Sequence, residues 1–213
     1  MSYNTMKSDF LSILDRDEVQ PGGPQAALAD TFLQQGIGRI QRTARLPSME
    51  RAQLITPSLE PMLQFPVPPD LLQIIDILVP RLNDDQGRLL ALRHLSYREL
   101  MQRNQRDLPH SYARSQTLIY IRGAVPVGSQ LQFLYYGNFS PFATADSDNE
   151  LSASTPDLAV YAALKYAGDF FEHPLTQQWD QTYQAILAEV TQMGRDLDNE
   201  GGVNEVAPLY HWD

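Results

Sequence analysis

A short acidic stretch is the first place where this sequence could hold a metal ion. Residues 146–150 read Asp-Ser-Asp-Asn-Glu, and Asp157 falls at the twelfth position counted from Asp146. Calcium-binding loops place carboxylate ligands at such positions, including the twelfth. The sixth position is Leu151, however, where those loops need glycine for a sharp turn, and no helix is predicted in front of it. A solvated acidic loop is therefore the favoured interpretation, and no metal site is predicted.

Other patterns that carry catalysis are missing from the sequence. Gly36 and Gly38 lie inside a predicted helix, without the third glycine and the preceding strand of a dinucleotide-binding loop. There is no G-x-S-x-G nucleophile motif and no cysteine, and the pair Asp84 and Asp85 suits a turn. No ligand-like spacing relates the four histidines, which are His94, His110, His173 and His211. We therefore predict no catalytic residue, no cofactor and no enzyme, with one alternative left open: a small enzyme whose site is assembled from distant acids.

The charge balance argues against tight binding of nucleic acid. The chain of 213 residues carries 26 acidic and 16 basic side chains, a net charge of −10, and 43% of it is hydrophobic. Nucleic-acid-binding proteins usually concentrate positive charge, because they gain affinity by releasing counterions from phosphates. Two interpretations stay open: acidity for solubility, or a surface that lies near DNA without holding it. No apolar run approaches the ~20 residues that cross a bilayer, and the first residues lack a signal peptide's apolar segment, so we expect synthesis in the cytoplasm.

Apolar residues at helical spacing predict four main helices, two near each end of the sequence. The first covers residues 5–15, and the second covers residues 25–42 with a stripe that includes Ile37. The third begins at Pro156, a favoured first helical residue, and the fourth ends near Gly194. Its stripe is the clearest in the chain: Trp179, Tyr183, Ile186, Val190 and Met193.

The middle of the chain has a different pattern. Prolines separate short apolar segments there, which favours strands over helices. Ser96 and Glu99 have the spacing of a capping box and predict one short helix, and residues 123–128 suit a hairpin or meander. The predicted strands cover residues 52–56, 62–67, 72–79, 89–94, 118–121 and 129–136.

These elements predict an α+β fold that is mainly helical. The two terminal helix pairs are expected to form an antiparallel four-helix bundle, with the β-rich region inserted between them. The corresponding segments are 1–47 for the first helices, 48–136 for the β-rich insertion, 137–194 for a loop and the last helices, and 195–213 for an extended C-terminal tail.

The predicted tail combines a polar stem with an apolar tip. Glycines at 194, 201 and 202 and several acids favour an extended, solvated stem. Exposed aromatic residues invite association, and Tyr and Trp are common interface anchors. We predict that the tip docks on another protein or a neighbouring subunit, the alternative being that it folds back on its own subunit. The candidate partner-binding residues are Val206, Leu209, Tyr210 and Trp212.

Several packing motifs give the sequence a resemblance to the head-to-tail adaptor proteins of tailed bacteriophages. These are the paired tyrosines Tyr135 and Tyr136 at the end of a strand, an Asp- and Asn-containing loop at 146–151, and a helix opening Thr-Pro-Asp-Leu at 155–158. A further helix starts around Trp179, and residues 69–72 form a Pro-Asp-Leu-Leu turn leading into a strand. The loop departs from the family pattern in having Glu150 and Ser152 where larger apolar residues are expected.

The resemblance implies a mechanical function in the virion. Such adaptors bind beneath the portal ring at the head-to-tail junction, extend the DNA channel and offer a docking surface for the tail. The partners it implies are the portal ring, a tail or nozzle protein, neighbouring copies in a ring that is twelvefold to match the portal, and passing double-stranded DNA that is not read by sequence. No membrane partner is expected. The alternative is another tail-completion or scaffold-type interaction protein outside the portal junction.

Overall fold

A computed structural model describes residues 1–57, 62–80, 89–102 and 109–200, with side chains described up to Asp196 within the last range. The chain divides into two compact units. The helical unit consists of Met1–Ser48 and the chain from Phe139 onward, and the β unit is Met49–Asn138. No helix within the described ranges has the length and apolar character needed to cross a membrane.

The helices are α1 (Tyr3–Leu14), α2 (Leu28–Thr43), α3 (Tyr97–Gln102), α4 (Glu150–Ser154), α5 (Pro156–Phe170) and α6 (Thr176–Glu200). The strands are β1 (Glu50–Ile55), β2 (Met62–Pro66), β3 (Leu71–Pro80), β4 (Leu89–Ala91), β5 (Arg93–His94), β6 (Ser111–Arg114), β7 (Leu118–Val125) and β8 (Leu131–Gly137). Along the chain, α1 and α2 belong to the helical unit, the eight described strands and α3 to the β unit, and α4, α5 and α6 to the helical unit again.

Helix α5 is the centre of the helical unit, since α1, α2 and α6 all pack on it. Its small residues allow this close packing: Ala159, Ala162, Ala163 and Ala167 are completely buried. Gly36 of α2 faces Ala163 so closely that a Cβ atom at position 36 would lie 2.7 Å from the Ala163 backbone nitrogen. The α2 and α5 backbones can therefore approach each other only because position 36 lacks a side chain.

The prediction of an antiparallel four-helix bundle with an inserted β region is wrong. Within the described residues the fold is α+β, with six helices and two four-stranded sheets. A bundle shares one core among four comparable helices, whereas here a helix that is apolar on several sides is surrounded by the others. The middle of the chain also forms a body with its own core rather than an appendage of the helices.

Two sheets face each other in the β unit. Their strand orders are β1-β8-β3-β4 and β2-β7-β6-β5, and all neighbours are antiparallel except β5 and β6. Alternate residues along β7 and β8 are buried, as expected for strands with one face on a core. Phe65 of one sheet and Phe133 of the other have ring centroids 5.3 Å apart, which places the core between the sheets.

The connection between β7 and β8 differs from the predicted hairpin. The two strands belong to different sheets, so the chain crosses from one sheet to the other between them. Gly128, in this connection, adopts a positive φ angle of 80°, which side chains rarely tolerate, and thereby permits the change of direction. Gly123, with a φ angle of 89°, lies within β7, where the register with β2 shifts. Strand β6 was not predicted, because its four residues are too short and too mixed in polarity to give a period-two pattern.

Helix α6 continues past its predicted end at Gly194 to Glu200. Gly194 lies against Pro47, whose Cγ atom would be 2.7 Å from a Cβ atom at position 194. This close contact requires the missing side chain, and a single glycine costs a helix only about 1 kcal/mol. The prediction of an extended chain is therefore wrong for residues 195–200. The loop predicted at the start of segment 137–194 likewise contains the short helix α4.

We predict that Gly36→Ala destabilises the protein by about 1–3 kcal/mol, because the added methyl group overpacks the α2–α5 contact. Gly38→Ala, two residues along the same helix, is the matched control. A Cβ atom there meets only the mobile end of the Arg42 side chain, at 3.2 Å. The control should be neutral or more stable by up to about 1 kcal/mol, owing to helix propensity. Urea unfolding of both variants measures the difference, and equal stabilities would contradict the close contact.

Candidate functional site

The loop that follows the β unit is fixed to the start of α1. The backbone N–H of Tyr3 donates to the Ser147 carbonyl at 3.1 Å, and that of Asn4 donates to the Ala145 carbonyl at 2.9 Å. N–H groups in the first turn of a helix have no partner within the helix. The loop supplies these partners, and two segments of the chain that are far apart in sequence are joined as a result.

A hydrogen-bonded cluster connects α1 with α2 beside this loop. The Tyr3 hydroxyl donates to Asp30 Oδ1 at 2.8 Å, and Lys7 Nζ donates to Asp30 Oδ2 at 2.9 Å. Burial and the adjacent Asp30 carboxylate raise the pKa of Tyr3. Partial burial acts to raise the pKa of Asp30 as well, but the hydrogen bonds from Lys7 and Tyr3 outweigh it and lower that pKa. The negative charge of Asp30 is therefore already compensated within the subunit by Lys7 and Tyr3.

An open cavity of about 740 Å³ lies between α2 and the loop, and we name it the α2 groove. Positions 30, 34, 37, 38 and 41 of α2 line it, and this spacing places them on one helix face. The remaining lining residues are Tyr3, Phe139, Ser140, Pro141, Phe142, Thr144, Ala145 and Asn149.

The chemistry of the α2 groove suits an apolar binding partner. Aromatic rings border it, with the Tyr3 and Phe142 centroids 5.0 Å apart, and Ile37 is half-buried against it. Clefts of this size with apolar linings and a few polar groups are typical binding sites. The amides of Gln34 and Gln41 add hydrogen-bonding groups without adding charge. The groove can therefore bury an apolar side chain of a partner segment and still bond to that segment's polar backbone.

The acidic stretch considered as a cation site is used in other contacts. Asn4 Nδ2 donates to Asp146 Oδ1 at 2.7 Å. Glu150 accepts hydrogen bonds from the Ser140 backbone N–H at 2.9 Å and from its hydroxyl at 2.7 Å. Across the ranges that the structure describes, no three His, Asp or Glu side chains are grouped so that they could hold a metal ion.

The two positions that depart from the adaptor pattern both stabilise the loop. Ser152 and Asn149 form a capping box: the Ser152 N–H donates to Asn149 Oδ1 at 3.0 Å, and the Asn149 N–H donates to Ser152 Oγ at 2.9 Å. Ser152 is fully buried in this arrangement. Glu150, through its bonds to Ser140, holds the loop closed on the start of α4.

Two motifs of the adaptor pattern meet inside the β unit. The Tyr135 hydroxyl at the end of β8 donates to Asp70 Oδ1 at 3.3 Å, and Asp70 lies in the turn before β3. The carbonyl of the same Asp70 accepts the Asn138 N–H at 2.8 Å. Burial, followed by the charge and hydrogen bond of Asp70, raises the pKa of Tyr135. The aspartate and the tyrosine thus form one structural unit across adjacent strands, although they lie far apart in the sequence.

Comparison with known proteins bears on these shared motifs. The family model of the SU10 adaptor protein matches residues 1–206. The chain belongs to this family. The resemblance to phage adaptor proteins is confirmed, and the protein is a phage adaptor of the virion. No curated protein matches the sequence significantly.

The Trp179 motif of the adaptor has a packing role. Trp179 is 4% exposed and stacks on His173, with ring centroids 4.5 Å apart, where α5 turns into α6. One turn further along, Arg39 of α2 pairs with Asp180 at 2.9 Å and lies over the Tyr183 ring at 4.2 Å. These contacts fix the first half of α6 to the rest of the helical unit.

The predicted partner-binding residues of the adaptor lie outside the described residues, so their role stays a prediction. They are Val206, Leu209, Tyr210 and Trp212.

The α2 groove was not predicted from the sequence. Ile37 was assigned to the buried stripe of α2, where Ala29, Leu33 and Ile40 are indeed buried, but it lines the groove instead. The helical spacing of Gln34, Ile37 and Gln41 could have indicated that they share one side of α2. Nothing in the neighbouring sequence indicates that a distant loop lies opposite that side.

We predict that the adaptor loses stability as the pH rises above about 10, the ordinary pKa of tyrosine. Tyr3, Tyr112 and Tyr135 all have raised pKa values in the folded protein, chiefly through burial. Above pH 10 the unfolded chain therefore holds fewer protons than the folded chain, and the unfolding free energy falls with pH. Urea unfolding at pH 8 to 11 should show this decline. A double variant, Tyr3→Phe with Tyr135→Phe, should show a shallower one, and an unchanged slope would contradict the assignment.

Proposed function

We propose that this phage adaptor forms a ring beneath the portal at the head-to-tail junction. In that position it extends the DNA channel and provides the docking surface for the tail or nozzle protein. The observation that carries the proposal is the match to an adaptor family over nearly the entire chain. The role is mechanical and involves no catalysis. The protein is made in the host cytoplasm and joins the filled head during assembly.

The distribution of charge supports a channel through which DNA slides. The helical unit has 7 basic and 18 acidic residues, a net charge of −11, whereas the β unit has 9 basic and 8 acidic residues, a net charge of +1. Acidic walls repel phosphates, whereas walls rich in lysine or arginine would hold them. We propose that the channel surface is acidic or neutral. The helical unit is the part of the chain that can supply an acidic surface.

Assembly on a template fits a subunit that must wait for a filled head. Neighbouring sites on a portal ring raise the effective concentration of bound subunits, so weak contacts between copies become sufficient there. The ring would then match the twelvefold symmetry of the portal. In free solution the same contacts are too weak to hold a ring together.

We predict that the isolated protein stays small at micromolar concentration and forms a complete ring only when portal rings are added. Mass photometry of portal rings alone, of the protein alone and of the mixture measures this directly. A stable large ring without the portal would contradict template-driven assembly. Failure to bind portal rings at all would favour a tail-completion or scaffold-type protein that acts elsewhere.

Deletion of residues 203–213 provides the accompanying control for the predicted tail contact. Loss of Tyr210 and Trp212 should weaken binding to the portal or to neighbouring copies, because aromatic anchors contribute much of the affinity of an interface. The thermal unfolding midpoint should stay the same, because the tail is proposed to contact another subunit rather than its own. A lower midpoint with normal binding would show that the tail packs on its own subunit.

A further inference from the structure

The second half of α6 is less buried than its first half. With 25 residues α6 is about 37 Å long, whereas α5, with 15 residues, is about 22 Å long. The apolar stripe of α6 changes in exposure along this length. Trp179 and Tyr183 are 4% and 1% exposed, but Met193 is 56% exposed. Burial of the stripe therefore decreases towards the end of α6, where Gly194 still lies against Pro47.

The sequence beyond α6 has the reach and the composition to bind at a distance. The 13 residues from Gly201 to Asp213 span up to about 43 Å when extended. Residues 206–212 are mainly apolar and aromatic, with His211 as their one titratable side chain apart from Tyr210. Pro208 disfavours helix continuation and suits an extended segment.

We propose that the α2 groove receives residues 206–212 of a second copy of this chain. The inference rests on the proposed ring and names one contact that would hold neighbouring copies together. The contact is heterologous, because it joins the groove of one copy to the tail of another. The first copy still has a free tail and the second a free groove, so each can bind a further copy. A heterologous contact of this kind repeats around a ring, whereas a contact between two identical patches ends at a dimer.

The chemistry of the two surfaces is complementary. Tyr3 and Phe142 line the groove as a tilted ring pair, and an entering Tyr or Trp could add a further tilted pair, the arrangement that aromatic rings favour. Asp30 is already bonded to Lys7 and Tyr3, so docking does not bury an uncompensated charge. Residues 206–212 contribute no carboxylate or ammonium group of their own.

The position of the chain exit favours a neighbour over the same subunit. Gly194 is the point at which α6 lies against Pro47, and the helix runs on to Glu200 from there. Earlier in α6, Asp180 and Tyr183 contact Arg39 of α2, so the helix advances from Arg39 towards Pro47. Beyond Gly194 it therefore continues away from the α2 groove, which ends at Gln41. A tail bound in its own groove would have to reverse direction within residues 201–205, whereas a tail bound to a neighbour continues in the direction of α6.

The absence of cysteine from the chain allows a direct test by disulfide trapping in the full-length protein. One variant carries Gly38→Cys in the groove, where a Cβ atom meets only the Arg42 side chain. A second variant carries Leu209→Cys in the tail. The matched control is Gln35→Cys, an exposed position on the same helix that does not line the groove. Equal urea midpoints would first establish that all three variants fold.

Mild oxidation of the mixed groove and tail variants at high protein concentration should give a disulfide-linked heterodimer, identified by mass. Its yield should exceed that of the Gln35→Cys and Leu209→Cys mixture several-fold. Equal yields in the two mixtures would overturn the proposal. A monomeric internal disulfide in the Gly38→Cys and Leu209→Cys double variant at low concentration would also overturn it, because the tail would then occupy its own groove. Portal binding by the unmodified protein is measured separately, so the ring proposal can hold even if this contact fails.

Discussion

The close approach of α2 and α5 at Gly36 and Ala163 is the constraint on which the helical unit depends. It turns the buried face of α2 toward α5 and leaves the opposite face, with Gln34 and Ile37, directed at the loop. Protein interiors are packed as densely as organic crystals, so a single added methyl group at this point is felt by the surrounding structure. The α2 groove is therefore a consequence of how the core is packed and not an independent feature of the surface.

The same unit is assembled from two distant parts of the chain, and specific polar contacts hold them together. The loop carbonyls accept the first N–H groups of α1, and the Asn149 and Ser152 capping box fixes the loop at its other end. Each backbone or side-chain group satisfied in this way avoids the cost of an unpaired polar group. The β unit, inserted between the two parts in sequence, has its own core and almost no net charge, while the helical unit carries the acidity.

The features that were predicted correctly from the sequence are those determined by nearby residues. Ser96 and Glu99 form the predicted capping box, and α5 begins at the predicted Pro156, because caps and first-turn prolines act within one helical turn. The bundle and the β7–β8 hairpin were wrong, because helix arrangement and strand pairing depend on contacts between distant residues. The end of α6 was wrong for the same reason, since Pro47 provides the contact that makes Gly194 acceptable. The α2 groove needed the loop and the helix in place together, which no local pattern specifies.

We propose that this adaptor occupies the junction beneath the portal as a ring. Cryo-electron microscopy of portal rings saturated with the protein tests it most directly, because the image shows both where the protein binds and how many copies are present. We expect one additional ring of density on the tail-facing side of the portal, in register with its subunits and surrounding an open channel. Portal rings without added density, or with density bound elsewhere or across the channel, would contradict it.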